Sequence, residues 1–155
     1  MSPAALAALH AQAFERPPPW TENDFASFLK DPACFLCTRG ADAFGLFRVA
    51  ADEAELLTLA TSPRMRRQGF ARAVLARGLI TARDRGARAC FLEVAADNHA
   101  ACALYTGLGF APHGRRKGYY RKPGQPPVDA LVFKARLDAL EITFSEAQRA
   151  VTISC

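Results

Sequence analysis

Apolar residues recur at helical spacing from Gly69 to Arg85. Ala71, Val74, Leu75, Gly78, Leu79 and Ala82 form one stripe, and Arg72, Arg77, Arg83 and Asp84 fall outside it. That period predicts an amphipathic helix. Ahead of it, Leu56-Leu57-Thr58-Leu59-Ala60-Thr61 is an apolar run of strand length, closed by Ser62-Pro63. Strands are predicted near 33–38, 43–50, 55–61, 88–94, 110–120 and 128–137. Residues 3–15 are alanine-rich and helical in character, Pro17-Pro18-Pro19 breaks them, and Thr21 is placed to cap a second helix through about Lys30. A short helix begins near Asn98 and stops at Gly109. There is no internal repeat and no linker long enough to divide domains. Residues 1–137 therefore read as one domain and 138–155 as a C-terminal extension whose role stays open.

The first chemical signal lies between the 55–61 strand and the long helix. Arg66-Arg67-Gln68-Gly69-Phe70-Ala71 occupies the predicted helix start, where the first backbone N–H groups lack intrahelical partners and the helix dipole favours an anion. Gly69 lacks the Cβ that would obstruct close backbone approach, and Arg66 and Arg67 add attraction for negative charge. The pattern suits a phosphate. Taken alone, a basic helix start with no ligand is the more ordinary explanation.

Composition narrows the class. The 155 residues are 50% hydrophobic, enough for one core of two packed layers and too apolar for a disordered chain. Five cysteines, odd in number and irregular in spacing, argue against a disulfide framework and for a reducing compartment. No basic N-terminal region precedes a long apolar run, which predicts a soluble cytoplasmic protein. The net charge of +5 suggests an anionic partner, with the basic residues mostly in 64–88 and 115–122. Asp52, Glu53 and Glu55 make a small acidic patch, a surface for a basic peptide or, more simply, a solvated hairpin turn. Metal is not expected. Cys34-x-x-Cys37 has no second pair, its members face opposite ways on a strand, and His10, His99 and His113 show no ligand spacing.

Downstream, Leu92-Glu93-Val94 leads to Asn98 and then to Ala103-Leu104-Tyr105-x-x-Leu108-Gly109-Phe110. Earlier come Pro19-Trp20-Thr21 before Phe25, Leu59-Ala60-Thr61-x-Pro63 and Arg66-x-x-Gly69-x-Ala71; later come Arg116-x-x-Tyr119-Tyr120 and Asp129-Ala130. This ordered set resembles the GNAT N-acetyltransferases over roughly Ala4 to Leu137, most nearly the RimI branch that acetylates the alanine N-terminus of ribosomal protein S18. The resemblance implies an α/β (mixed α+β) fold, a mixed and mostly antiparallel sheet of six or seven strands flanked by helices. Acetyl-coenzyme A would be held where neighbouring strands splay apart.

The resemblance also implies a site. Glu93 is the expected general base, in a strand among apolar neighbours where partial burial would aid it; its plainer reading is a solvent-facing strand glutamate. Tyr105 is the expected general acid toward the departing thiolate, against a plainer role as a helix anchor. Asn98, two helical turns earlier, would bond the pantetheine arm. Leu59, Ala60 and Thr61 would pair with that arm through backbone, supplying an N–H to the thioester carbonyl. Arg66, Arg67, Gln68, Gly69, Phe70, Ala71 and Arg72 would hold the pyrophosphate. Trp20, Tyr119 and Tyr120 would border the acceptor groove, although adjacent strand tyrosines ordinarily send one ring to each face. Ala71 stands for the family's commoner glycine, and Arg121 stands where a proline usually follows the tyrosine pair.

A protein N-terminus is the expected partner, with a small-molecule amine or a lysine side chain as the alternative acceptor. A non-catalytic ribosome- or RNA-associated module is a more distant reading, and neither membrane nor direct nucleic-acid contact is expected. The oligomeric state stays between monomer and weak dimer. Amine chemistry favours the N-terminus: an α-amine of pKa ~8 is about one-tenth neutral at pH 7, a lysine of pKa ~10.4 only about four parts in ten thousand.

Overall fold

The computed structural model describes residues 1–14, 18–139 and 153–155. Helix α1 (Pro3–Ala13) begins where the Ser2 side chain accepts from the Ala5 N–H, with Pro3 in the first turn. It stops short of the predicted residue 15; residues 15–17 lie outside the described residues. Helix α2 (Glu22–Lys30) starts in a reciprocal cap. The Thr21 hydroxyl accepts the Asp24 N–H at 3.2 Å, and the Asp24 carboxylate accepts the Thr21 N–H at 2.7 Å.

Next come β1 (Cys34–Arg39), β2 (Ala43–Ala50), β3 (Glu53–Thr61), α3 (Phe70–Asp84), β4 (Ala89–Ala95), α4 (His99–Thr106), β5 (Ala111–Tyr120) and β6 (Val128–Arg136). Strands lie in the order β1-β2-β3-β4-β6-β5, antiparallel except for β3 and β4. The exception follows from α3, the crossover that a parallel neighbour requires. The patch at Asp52, Glu53 and Glu55 is the solvated β2–β3 turn and its exposed flank, with Arg48 paired opposite Glu55.

The sheet is covered on both faces. On one, α3 packs Val74, Leu75 and Leu79 against Phe35, Phe47, Leu56 and Leu92. On the other, Leu6 and Leu9 of α1 and Phe25 of α2 meet Phe44 and Leu46. Burial on α3 extends past the predicted stripe to Ala73 and Ala76. Gly78, in the middle of that helix, is explained by Phe47: a Cβ there would fall 2.0 Å from the ring.

Two irregularities shape the centre of the sheet. Leu46 pairs with Thr58 but Phe47 with Leu56, so Leu57 is an extra residue. Before it, Ala54 and Leu56 join the α3 core; after it, Ala60 joins the opposite core and Thr58 meets His10. The second is a parting of strands. β3 and β4 pair only from Glu53–Ala89 to Glu55–Phe91, and beyond that point they run on unpaired.

One expectation is overturned. Cys37 is bonded to Cys155, 118 positions later in the chain, and Thr38 exchanges backbone hydrogen bonds with Ser154. Irregular spacing argued against a disulfide because nothing local indicates that residues 153–155 return to the outer edge of β1, where Ile153 is buried against the core. Support for a reducing compartment from cysteine usage goes with it. Cys34, Cys90 and Cys102 are free, and burial pushes the Cys90 thiol up to about 12, leaving it inert. No helix among the described residues is long and apolar enough to cross a membrane.

Candidate active site

The gap between β3 and β4 is the organising feature. Strand alternation sends Cys90, Leu92 and Val94 into the α3 core, which turns Phe91 and Glu93 to the opposite face. Glu93 stands exposed there, with 29% of its side-chain surface open. Its carboxylate meets a charged partner, not only the apolar neighbours that the sequence suggested. The Arg116 guanidinium lies 3.3 Å away, brought over from β5 by β6 between them. An exposed pair of this kind contributes about 1 kcal/mol or less, so an incoming ammonium group can displace the arginine at little cost.

Arg116 also lies 5.3 Å over the Tyr119 ring, and the Tyr119 and Tyr120 centroids are 5.2 Å apart at 82°. The expectation of one tyrosine on each face is therefore corrected. Gly118 has φ +57° and the β5–β6 register shifts between Arg116 and Tyr120, which breaks the two-residue alternation and lets the rings touch. Tyr120 shares the site's field: burial first, then the Glu93 charge, push its phenol up. Tyr119 is 53% exposed and open to a partner.

Tyr105 approaches from α4 and is buried, its ring edge-on to Phe110 at 5.9 Å and tilted against Phe133 at 6.5 Å. Burial above all raises its phenol, with smaller contributions from Cys102, Cys90 and Tyr120, so it stays protonated across the neutral range. That suits a donor and also an anchor. Tyr105→Phe separates them: kcat should fall about a hundredfold with the fold intact, because the ring contacts survive the loss of the hydroxyl. An unchanged kcat would leave Tyr105 as an anchor. Asn98 caps α4, its side-chain oxygen accepting the Ala101 N–H at 3.2 Å.

The phosphate loop expected from the sequence leads into the start of α3. Gly69 caps that helix in the left-handed region at φ +77°, Arg67 is left-handed at φ +60°, and no side chain caps the first turn. That conformation favours glycine at position 69, and a Cβ there would meet no protein atom within 4 Å. Arg66, Arg67 and Gln68 are exposed around it, and Phe70 lies under the Arg39 guanidinium at 3.9 Å. Arg39 adds a positive charge that sequence spacing did not suggest. Arg72 reaches the Gly107 carbonyl at 3.0 Å, tying α3 to the end of α4. Of the β3 positions, Leu59 is half-buried, Ala60 is buried, and the Thr61 hydroxyl oxygen is buried without a hydrogen-bond partner. An orphaned polar atom on the strand beside an open gap fits a ligand that brings its own amides.

Trp20 is half-buried against the second core. Its ring stacks on Phe28 at 4.9 Å and on His10 at 5.4 Å, and the Trp20 backbone N–H donates to His10 Nδ1 at 3.1 Å. Because Nδ1 accepts, Nε2 carries the proton and donates to the Thr58 hydroxyl at 3.0 Å, just past the β3 bulge. His10, which sequence spacing passed over, thus joins the Trp20 segment to β3; its one local signal was Phe14, four positions along the helix. Burial pulls its pKa from 6.5 down to about 4. The unfolded chain binds that proton more readily, so the contribution to stability is complete above about 6.5 and is lost as pH falls toward 4. Between pH 7 and 4 the wild type should lose roughly 3 kcal/mol more stability than His10→Gln, read from urea midpoints at each pH.

A family model described as "Acetyltransferase (GNAT) family" matches residues 5–110. The chain belongs to this family. The [Ribosomal protein bS18]-alanine N-acetyltransferase of Escherichia coli K12 is 38% identical over 117 residues, spanning 74% of this chain and 79% of its own. The protein of the same name from Salmonella typhimurium is 35% identical over 117 residues, 74% of this chain and 78% of its own. The crystal structure of the Escherichia coli ribosomal-protein-S18-alanine N-acetyltransferase superposes with a TM-score of 0.77 at 30% identity, covering 90% of this chain and 93% of that one. The GNAT fold expected from the motifs is thus present, with a mixed six-stranded sheet. As a GNAT enzyme the protein is an acetyl-coenzyme A-dependent N-acetyltransferase.

Proposed function

We propose that this acetyltransferase acts on a protein N-terminal α-amine, with the alanine N-terminus of ribosomal protein S18 as its leading substrate. The observation that carries the reading is the 38% identity to an S18 alanine acetyltransferase across most of both chains. The site supports it. Glu93 is held by an exposed arginine that an α-ammonium group can replace, and Tyr119 and Tyr120 flank it as aromatic walls for the first residues of a peptide. An α-amine is already about one-tenth neutral at pH 7, so one carboxylate suffices to take up the remaining proton. A bacterial cytosolic setting goes with this substrate.

Acetyl-coenzyme A supplies the acetyl group as a thioester. The edge of β3 facing β4 along Leu59, Ala60 and Thr61, left without a β4 partner, the uncapped start of α3 and the Asn98 amide are the groups of this chain that would hold it. Tyr105 would supply a proton from the α4 side and Glu93 would accept one from the β4 face, so donor and acceptor stand on separate elements and are not in competition.

The test is release of free coenzyme A thiol with a peptide beginning Ala-Arg-Tyr, against the same peptide blocked at its amine. Turnover only on the free peptide is expected. Turnover on lysine-bearing or small amines, with none on the free N-terminus, would withdraw the ribosomal substrate and keep the enzyme class.

A further inference from the structure

The arm that carries Arg116, Tyr119 and Tyr120 is irregular where it matters. Arg116 pairs with Ala130 and Tyr120 with Val128, so Lys117, Gly118 and Tyr119 stand opposite Asp129 alone. Three residues facing one cannot keep the backbone ladder, and an N–H in such a bulge needs another acceptor. The Asp129 carboxylate supplies it: Oδ1 accepts the Gly118 N–H at 2.8 Å. Its other oxygen lies 3.3 Å from Arg115 Nε, and its backbone carbonyl accepts the Ala96 N–H at 2.8 Å, at the end of the strand that carries Glu93. Asp129 is thereby registered to β4 through its main chain and to the β5 bulge through its side chain.

We propose that Asp129 is a positioning residue that sets where Arg116, Tyr119 and Tyr120 stand relative to Glu93, and so sets affinity for the acceptor peptide. The hydrogen bond to Gly118 carries this role, because it fixes a left-handed residue at φ +57° between Arg116 and Tyr119. The ion pair to Arg115 contributes little, since that side chain is 55% exposed. Asp129 touches neither reacting group. It acts through β5.

The role rests on the peptide-amine reading, and the tests keep the two apart. Asp129→Ala should raise peptide KM about tenfold, the loss expected when a charge-assisted hydrogen bond is removed, with kcat changed less and acetyl-coenzyme A affinity within about twofold. Asp129→Asn keeps an oxygen for the Gly118 N–H and should stay within about threefold of wild type. An unchanged KM in a folded Asp129→Ala protein overturns the proposal, as does an Asn variant no better than Ala, or a parallel loss of acetyl-coenzyme A affinity. Gly118→Ala is the second route. It leaves Asp129 in place and meets only ordinary contact with Pro127 at 3.5 Å, but strains the left-handed backbone, and it should show the same selective rise. Hydrogen exchange of the Gly118 amide needs no acceptor. Protection should persist in Asp129→Asn and be lost in Asp129→Ala; equal protection in both rejects the clamp whichever amine is the substrate.

Discussion

Glu93→Gln should lower kcat on a free peptide amine about a thousandfold at pH 7 while acetyl-coenzyme A binding stays within about twofold. The amide is the same size and still offers an oxygen to Arg116, so the 3.3 Å contact and the local fold are preserved. What is lost is the ability to accept a proton. The defect should therefore shrink by about tenfold as pH rises from 7 to 9, since the neutral fraction of an α-amine of pKa ~8 climbs over that range from about one-tenth to about nine-tenths. The rest of the defect reflects the proton lost as the amine attacks. A pH-rate comparison of the two proteins with saturating acetyl-coenzyme A measures this directly. Full kcat in the variant at neutral pH would remove Glu93 from the chemistry, and a deficit constant across pH would assign it to binding instead.

Gly78→Ala should destabilise the protein by about 2 kcal/mol, with kcat per folded molecule unchanged. In an exposed helix the same substitution would gain roughly 1 kcal/mol of helix propensity. Here the added methyl would lie 2.0 Å from the Phe47 ring, which stacks at 5.1 Å on Phe35 in the buried core. Phe47 cannot move without opening that stack, and overpacking of this kind typically costs 1–3 kcal/mol beyond the propensity gain. Urea denaturation at pH 7 reads the difference. A neutral or stabilising result would mean that Phe47 has room to rotate. Gly78→Ala in a Phe47→Leu background should then recover stability, because the smaller side chain leaves space for the methyl.

Much of the fold was legible because its signals are local. The Thr21–Asp24 cap, the stripe on α3 and the alternation along β4 depend on residues within a few positions of each other, and each appears where the pattern put it. The α3 stripe foretold its buried face except at Ala71, which is only half-buried, and at Ala73 and Ala76, which are buried outside the stripe. The motif at Arg66 to Ala71 marked a helix start correctly. That Gly69 is also left-handed is a property the sequence does not show, because backbone handedness is not visible in residue type.

The surroundings of the site residues were decided by tertiary structure alone. Glu93 was expected among apolar neighbours because its chain neighbours are apolar; its nearest charge comes from β5, across a register that only the folded sheet defines. The tyrosine pair was read as facing both ways because alternation assumes a regular ladder, and three residues opposite Asp129 break it. The motif places Trp20 at the acceptor groove; its stacking on His10 and Phe28, half-buried against the second core, is visible only in the fold. Cys37 and Cys155 could not be paired in advance, since proximity across 118 positions depends on the path of the whole chain. By itself the sequence determined the elements and the family and named candidate proton-carrying groups, because those rest on local periodicity and residue chemistry. The bulges, the strand gap and the charge beside Glu93 needed the fold, because each arises from register between strands that are distant in sequence.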